Sequence, residues 1–548
     1  MLGACYAVLG QEQPPVSVRV DLAESQGPYV PIYSWFGYDE PNYTYMQHGR
    51  ELLTELHDLS PVPVYVRTHN LLTTGDGKAD LKWGSTNAYT LDSQGNPTYD
   101  WSVIDKIFDA YTAARLRPMV EIGFMPEALS THPEPYHVQF PADLFRGGWS
   151  YPPADYNRWQ ELVRHLAQHL AERYGKNEVG TWYWEVWNEP DIGYWHGTPE
   201  EYFRLYDYAV AGVRSVLPSA KVGGPATTGP HGSKGSKFLE GFLQHCAKET
   251  SAATGATVPL DFISFHAKGQ LATADGHVRM ALQAELSDVS DGFAIVARFP
   301  QFSKLPIILS EADPEGCAAC SARVHPENAY RNGPLYPCYT AAVMKGMFDL
   351  QDRYHMNLAG MLTWAFEFEG RDYFEGFRTL ATNGIDKPVL NVFRMAGMMS
   401  GNRVRVESTG AVPLDNILQT GVRQNADIDA FATAASREAA IMLWNYHDDD
   451  LPASPATVTV NLTGLPLGVS RVLLHHYRID SNHSNAYSVW NAMGSPQSPT
   501  LEQYAQLKAA GQLQLLDSPQ WLEVSSGKAS LAISLPRQAT SLLHLTWQ

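Results

Sequence analysis

Eight short apolar runs, each followed by a longer stretch of helical pattern, occupy residues 29–400 and limit most strongly what this chain can fold into. They are "YVPIYSWFG" from Tyr29, "VYVRTHN" from Val64, "RPMVEIGF" from Arg117, "TWYWEVWNE" from Thr181, "KVGGPATT" from Lys221, "DFISFHAKG" from Asp261, "LPIILSEADP" from Leu305 and "GMLTWAFEF" from Gly360. This alternation is the signature of repeated β-α units around a parallel sheet. Among the intervening helices, "DYNRWQELVRHLAQHLAERYG" from Asp155 places Trp159, Leu162, Leu166 and Leu170 on one apolar stripe. Eight units predict an α/β fold, a (β/α)8 (TIM) barrel rather than an open sheet, closing on the helix "KPVLNVFRMAGMMSG" from Lys387.

After Gly401 the texture changes to short alternating runs such as "RVRVES", "AIMLWNYH", "ATVTVNLTG", "VSRVLLHHYRI" and "SLLHLTWQ", the pattern of an accessory all-β sandwich. "PVSVRVDLAES" near the N terminus alternates in the same way and is expected to add a strand there. The units are therefore read as 1–28, an N-terminal segment joining the sandwich, 29–400, the catalytic barrel, and 401–548, the sandwich. A chain of 548 residues with 44% hydrophobic content has enough core for at least two units.

Charge excludes some partners. With 40 Lys and Arg against 58 Asp and Glu the formal net charge is -18, and no basic cluster interrupts it, so nucleic acid and anionic membrane surfaces are poor partners. No apolar run approaches the roughly 18 to 20 residues of a membrane span. The opening "MLGACYAVLG" is apolar but short and lacks a basic flank, so it is not a complete secretory signal, and the compartment stays open between cytoplasm and periplasm. The 5 cysteines are an odd number and make no disulfide framework. Cys317 and Cys320 form a C-x-x-C, with Cys338 further along; zinc, redox chemistry and a local disulfide all fit that spacing, and a structural loop is preferred because no second C-x-x-C or His partner lies at zinc spacing. His325 reads as a surface loop residue.

In such a barrel the chemistry sits at the C-terminal ends of the strands. The fourth run ends in Asn188-Glu189, the seventh in Ser310-Glu311, the sixth in His266 and Lys268, and the second in Arg67 and His69. Two carboxylates on strands four and seven face each other across the mouth, the arrangement a retaining glycosidase requires. Glu189 is expected to hold a proton near neutrality, pushed that way by Glu311 opposite. Asn188 offers an amide to a sugar 2-hydroxyl, and Pro190 is expected to end the strand. Trp182, Trp184 and Trp187 are read as packing and Trp195 as a flat platform for a sugar ring. Arg67 is read as orienting a carboxylate such as Glu311 from below, and Asp313 and Glu315 as loop residues that cap the next helix or bond the backbone.

"WEVWNEPD", "ILSEADP" and "VRTHNLL", together with "YDEPNYTY", "KWGSTNAYT", "IGFMPEALS" and "LATNGIDKPVLNVFR", resemble glycoside hydrolase family 39, and more narrowly its bacterial β-xylosidases. The resemblance covers the barrel and extends to the C-terminal sandwich. It implies a β-xylosidase acting on terminal β-D-xylose of xylo-oligosaccharides by a retaining mechanism that needs no cofactor and no metal. It makes Glu189 the acid/base and Glu311 the nucleophile. It places Asn188 on the 2-hydroxyl, His69 on the glycone hydroxyls, Phe124 on the pocket wall, His266 beside nucleophile or sugar, and Trp364 and Glu369 as strand-eight residues that close the subsite and bond its hydroxyls. The family also contains α-L-iduronidases, and "FHAKG" resembles theirs, which makes Lys268 and Arg378 candidate cations for a uronic acid. Arabinosidase and β-glucosidase activities, and a non-catalytic carbohydrate-binding protein, also stay open. No H-E-x-x-H or similar ligand set supports a metal-dependent hydrolase, and one sequence leaves the oligomeric state open.

Overall fold

The computed structural model describes residues 15–135 and 148–548. "MLGACYAVLG", with Cys5, lies outside the described residues. Every one of the eight apolar runs forms a strand: Trp35–Tyr38, Tyr65–Thr68, Arg117–Ile122, Tyr183–Val186, Lys221–Thr227, Phe262–Lys268, Pro306–Asp313, and an eighth broken into Asn357–Met361 and Thr363–Trp364. They pair in parallel in chain order. Asn357–Met361 bonds the seventh strand and Thr363–Trp364 bonds the first. The single residue Leu362 joins these two edges, so the sheet curls into a nearly closed barrel.

Side chains of a strand alternate between faces, and the inward set fills the barrel in layers. At the bottom lie Trp35, Met119, Tyr183, Phe262, Ile308 and Leu362, with Tyr65 stacked on Trp35 at 4.2 Å between ring centroids. Two residues further along the same strands the inward positions turn charged, at Arg67, Glu121 and Glu185. Gly37 is required here, because a Cβ on it would lie 2.4 Å from the Trp364 ring. The Asp155 carboxylate caps helix Tyr156–Tyr174 by accepting from the N–H groups of Asn157 and Arg158, and Trp159, Leu162, Leu166 and Leu170 on its inner stripe are fully buried.

The second β-region is separate from the barrel and largely antiparallel. Hydrogen bonds join ten strands into one sheet, among them Asn402–Ser408, Glu438–Tyr446, Ala456–Thr463, Arg471–Ile479 and Thr540–Thr546. Val16–Pro28 inserts between Asn402–Ser408 and Ala456–Thr463, antiparallel to the first and parallel to the second. The chain thus lays down a strand of this sheet before it builds the barrel. Strands from both ends of the order contribute to one apolar cluster, including Val18, Val460, Ile441 and Leu543. Helix Leu335–Tyr354 is buried almost all round because it packs between barrel and second sheet, with Tyr339 against Tyr446 at 5.9 Å. Cys317 and Cys320 are joined in a disulfide, and Cys246 and Cys338 are free and buried.

Several carboxyls are buried without a full counter-charge. Burial pushes Glu285 up to about 8 despite a hydrogen bond from Tyr339, and pushes Glu367 up to about 8 and Asp427 up to about 7. In the unfolded chain these groups ionise near pH 4. Their folded pKa values are raised, so their stability contribution is full below about pH 4 and is lost as pH rises through 7 to 8. The melting temperature is therefore expected to fall between pH 5 and pH 8, and Glu285→Gln is expected to flatten that slope. Calorimetry across the window checks this, and a melting temperature that rises with pH would contradict it.

Candidate active site

Arg67 sits at the centre of the barrel with its side chain fully buried. Its Nε donates to Glu185 Oε2 at 2.5 Å, Nη1 to Glu311 Oε1 at 3.2 Å, and Nη2 to Asn188 Oδ1 at 2.9 Å. Nη2 also lies 3.1 Å from Glu121 Oε2. The planar guanidinium fork suits this task, since it presents donors in several fixed directions at once. Burial works against the charge, but the Glu185, Glu121 and Glu311 carboxylates outweigh it and hold the guanidinium pKa above its ordinary value. The reading of Arg67 as a group that orients Glu311 is met, and its duty extends to three further side chains.

Glu311 lies on the seventh strand, where pairing with the sixth skips from Leu309–Phe265 to Glu311–His266. The extra residue, Ser310, re-aims the glutamate into the barrel. Besides Arg67, Glu311 Oε2 lies 2.8 Å from Lys268 Nζ and 3.8 Å from His266 Nδ1. Burial would raise its pKa, but His266, Lys268 and Arg67 together hold the carboxyl well below the usual range.

Glu189 is reached differently from the expected way. The fourth strand stops at Val186, before Asn188 and Pro190, because Trp187 and Glu189 adopt left-handed backbone with φ of 74° and 43°. Such conformations cost roughly 1 to 3 kcal/mol each for non-glycine residues and persist only where surroundings enforce them. Here the Glu189 N–H donates to Ala226 O at 2.8 Å and the Trp187 indole donates to Tyr194 O at 3.0 Å. The turn lifts Glu189 into the mouth, where its Oε1 lies 2.9 Å from His266 Nδ1 and its side chain is 16% exposed. One ligand atom each from Glu189, His266 and Glu311 lie within 4.8 Å of one another, a grouping that could also hold a metal ion.

His69 and Phe124 form the wall. His69 Nδ1 lies 2.5 Å from Glu121 Oε2; burial opposes its protonation, but Glu121 and Asp39 raise its pKa above the ordinary value. The Phe124 ring meets His69 edge-on at 5.1 Å and stacks on Tyr194 at 5.7 Å, while Trp364 meets His69 edge-on at 5.6 Å and lies under the Arg67 guanidinium at 4.9 Å. The structure thus brings Glu189, Glu311, Asn188, His266, Lys268, His69, Phe124 and Trp364 together around one mouth. Glu369 stands apart: its Oε2 accepts the His48 backbone N–H at 3.0 Å, at the start of helix Gln47–Asp58.

Four expectations need correction. Trp195 is no open platform, since its ring is 5% exposed, meets Trp187 edge-on at 5.2 Å, and donates its indole N–H to Thr198 O. Asp313 is the buried end of the seventh strand; it takes the Lys268 ammonium, lies 3.2 Å from Arg378 Nη2 and accepts the Trp364 N–H. Glu315 does bond backbone, at Cys317 N, but is also paired with Arg331 and Arg378, which outweigh its burial and bring its pKa down to about 2. Arg378 is fully buried in these bonds, so its guanidinium does not face the mouth. Glu121 and Glu185 were missed, although each is a lone charge inside an apolar run, the signal that should have found them.

The profile of glycosyl hydrolases family 39 matches residues 63–516. A beta-xylosidase of Geobacillus stearothermophilus is 27% identical over 498 residues, covering 88% of this chain and 86% of that protein. An alpha-L-iduronidase of Mus musculus is 26% identical over 573 residues, covering 98% of this chain and 82% of its own. The crystal structure of a monomeric beta-xylosidase from Caulobacter crescentus CB15 superposes with a TM-score of 0.75 at 22% identity, covering 97% of this chain and 99% of that one, which shows a shared fold.

Replacing Arg67 by Lys leaves a single point charge among four acceptors. Losing one partner of a buried ion network costs about 3 to 5 kcal/mol, so Arg67→Lys is expected to lower the unfolding free energy by a large part of that and to cut turnover of any glycoside substrate. Denaturant titration and initial rates check both effects, and wild-type stability in the variant would refute the role given to Arg67.

Proposed function

The chain belongs to glycosyl hydrolase family 39, and on that premise we propose that it is a retaining exo-glycosidase, a β-xylosidase that removes terminal β-D-xylose from xylo-oligosaccharides. The observation that carries the reading is the closeness of Glu189 and Glu311, whose nearest carboxylate oxygens lie within 4.8 Å. Retaining enzymes hold their two carboxyl groups about 5 to 5.5 Å apart, while inverting enzymes need about 6.5 to 9.5 Å to admit a water. Oxygens this close support the retaining reading.

The surroundings divide the roles. Glu311 is kept ionised by Arg67, Lys268 and His266, as a nucleophile must be. Glu189 Oε1 lies 2.9 Å from His266 Nδ1, and its side chain is the more exposed of the pair, as suits an acid that must reach a departing oxygen. In the first step Glu189 gives its proton to the glycosidic oxygen, the aglycone leaves as an alcohol, and a Glu311 oxygen bonds the anomeric carbon. In the second, Glu189 takes a proton from the attacking water, the Glu311 ester breaks, and the sugar departs with its original configuration. Asn188 gives its carbonyl oxygen to Arg67, which turns its amide N–H groups toward the 2-hydroxyl, a contact that strengthens as positive charge develops at the anomeric carbon.

A uronic acid glycone is the second reading, because Lys268, 17% exposed on its side chain, is a cation at the mouth. Its ammonium is already shared between Glu311 and Asp313, and Arg378 is buried behind it. That favours a neutral sugar.

Initial rates on nitrophenyl β-xyloside, α-arabinoside, β-glucoside and α-iduronide decide between them, with β-xyloside expected to be cleaved fastest. Preference for the iduronide would overturn the xylosidase assignment. Glu311→Gln is expected to abolish turnover. Glu189→Ala should spare the first step for good leaving groups, and added azide should then yield the β-glycosyl azide. Identical responses of the two variants to leaving group and azide would overturn the assignment of roles.

A further inference from the structure

A second charged group lies beside His69, on the side of its Nε2. Asp39 and Glu40 directly follow the first barrel strand and are buried at 5% and 1% exposure. Both reach Lys82, on the loop beyond the second strand. The Lys82 N–H donates to Glu40 Oε1 at 2.7 Å, and its ammonium lies 3.1 Å from Asp39 Oδ2. Asp39 Oδ1 in turn lies 3.5 Å from His69 Nε2. Lys82 adopts left-handed backbone, with φ of 71°, and its side chain is only 15% exposed. The next residue, Trp83, packs on Phe124 at 5.6 Å and on Tyr194 at 6.2 Å, which fixes this loop to the aromatic wall already described.

Burying three ionisable groups is costly, and a strained lysine backbone adds to that cost, so the surroundings must hold the cluster for a reason other than stability. Burial first, and Asp39 second, raise the Glu40 carboxyl well above its usual range, and its Oε1 already accepts the Lys82 N–H. The Lys82 ammonium beside Asp39 Oδ2 leaves a pair with both an acceptor and a donor. A hydroxyl accepts and donates at once, so it suits such a pair, whereas a substrate carboxylate would be repelled by Asp39.

We propose that Asp39 and Lys82 form a clamp for the glycone hydroxyl next outward from the one His69 would hold, the 4-hydroxyl of a pyranose, with Lys82 donating to its oxygen and Asp39 accepting its proton. This rests on the exo-glycosidase reading. The clamp does the work that sequence resemblance gave to Glu369, whose carboxylate is taken up by His48. It also gives a reason for exo action: a glycone extended at that oxygen has no hydroxyl proton to offer Asp39.

The test compares an aryl β-xyloside with its 4-deoxy analogue in wild type, Lys82→Met, Lys82→Arg and Asp39→Asn. In wild type, loss of a hydroxyl bonded to charged groups is expected to lower kcat/KM by roughly 10- to 100-fold. In Lys82→Met the xyloside should fall to nearly the level of the 4-deoxy analogue, while the analogue itself hardly changes; Asp39→Asn should do the same, and Lys82→Arg should recover part of the difference. If every variant lowers both substrates by the same factor, the pair is only structural and the proposal is overturned. If wild type prefers another pyranoside of the panel, the same comparison is made with that glycoside, so failure of the xylosidase reading shows in wild type and failure of the clamp shows in the substrate-by-variant comparison. No turnover of any glycoside would overturn both.

Discussion

A single buried guanidinium holds the interior of this barrel together. Arg67 bonds or pairs with Glu121, Glu185, Glu311 and Asn188, which come from three other strands and the loop after the fourth. Three buried carboxylates within reach of one another would repel and seek protons, and one cation with several fixed donors is the simplest remedy. The apolar layer beneath it excludes water, which makes each of these contacts stronger and the loss of any of them more damaging. A carboxylate such as Glu311 buried above an apolar layer therefore needs this cation, or one like it, beneath it.

A second network supports Glu311 from the side. The Cys317–Cys320 disulfide closes a short loop after the seventh strand, and Arg331 grips that loop by donating to both Cys317 O and Cys320 O. Arg331 and Arg378 hold Glu315, Arg378 also holds Asp313, and Asp313 shares Lys268 with Glu311. Positions that looked like loop residues in the sequence are thus a chain of alternating charges running from the disulfide to Glu311. His266 stands between the two carboxylates across the mouth, its Nδ1 2.9 Å from Glu189 Oε1 and 3.8 Å from Glu311 Oε2.

Much of this was legible in the chain. The eight runs were all strands because each is long enough and apolar enough to be buried on both faces, and period two then fixes which residues point inward. Glu189 and Glu311 stood out because a carboxylate at the end of an apolar run is hard to explain structurally. The C-terminal β-region was legible in its alternating runs, but Asp427–Ala434 was missed because "DIDAFATA" carries two acids where an inward face was expected. Asp39 and Lys82 lie inside "YDEPNYTY" and "KWGSTNAYT", yet neither motif suggests a role for them, since their pairing joins loops that nothing in the local pattern relates.

The sequence by itself determined which segments are strands, which end of the barrel carries chemistry, and which two glutamates face each other, because these follow from periodicity and chain direction alone. Only the tertiary structure decided how close those glutamates come, which cations serve which acids, and that Trp195 and Arg378 are buried rather than presented. Charge partnership and exposure depend on distances between residues far apart in the chain. A bulge at Ser310 and two left-handed residues around Asn188 set those distances, and neither has a signature in composition or spacing.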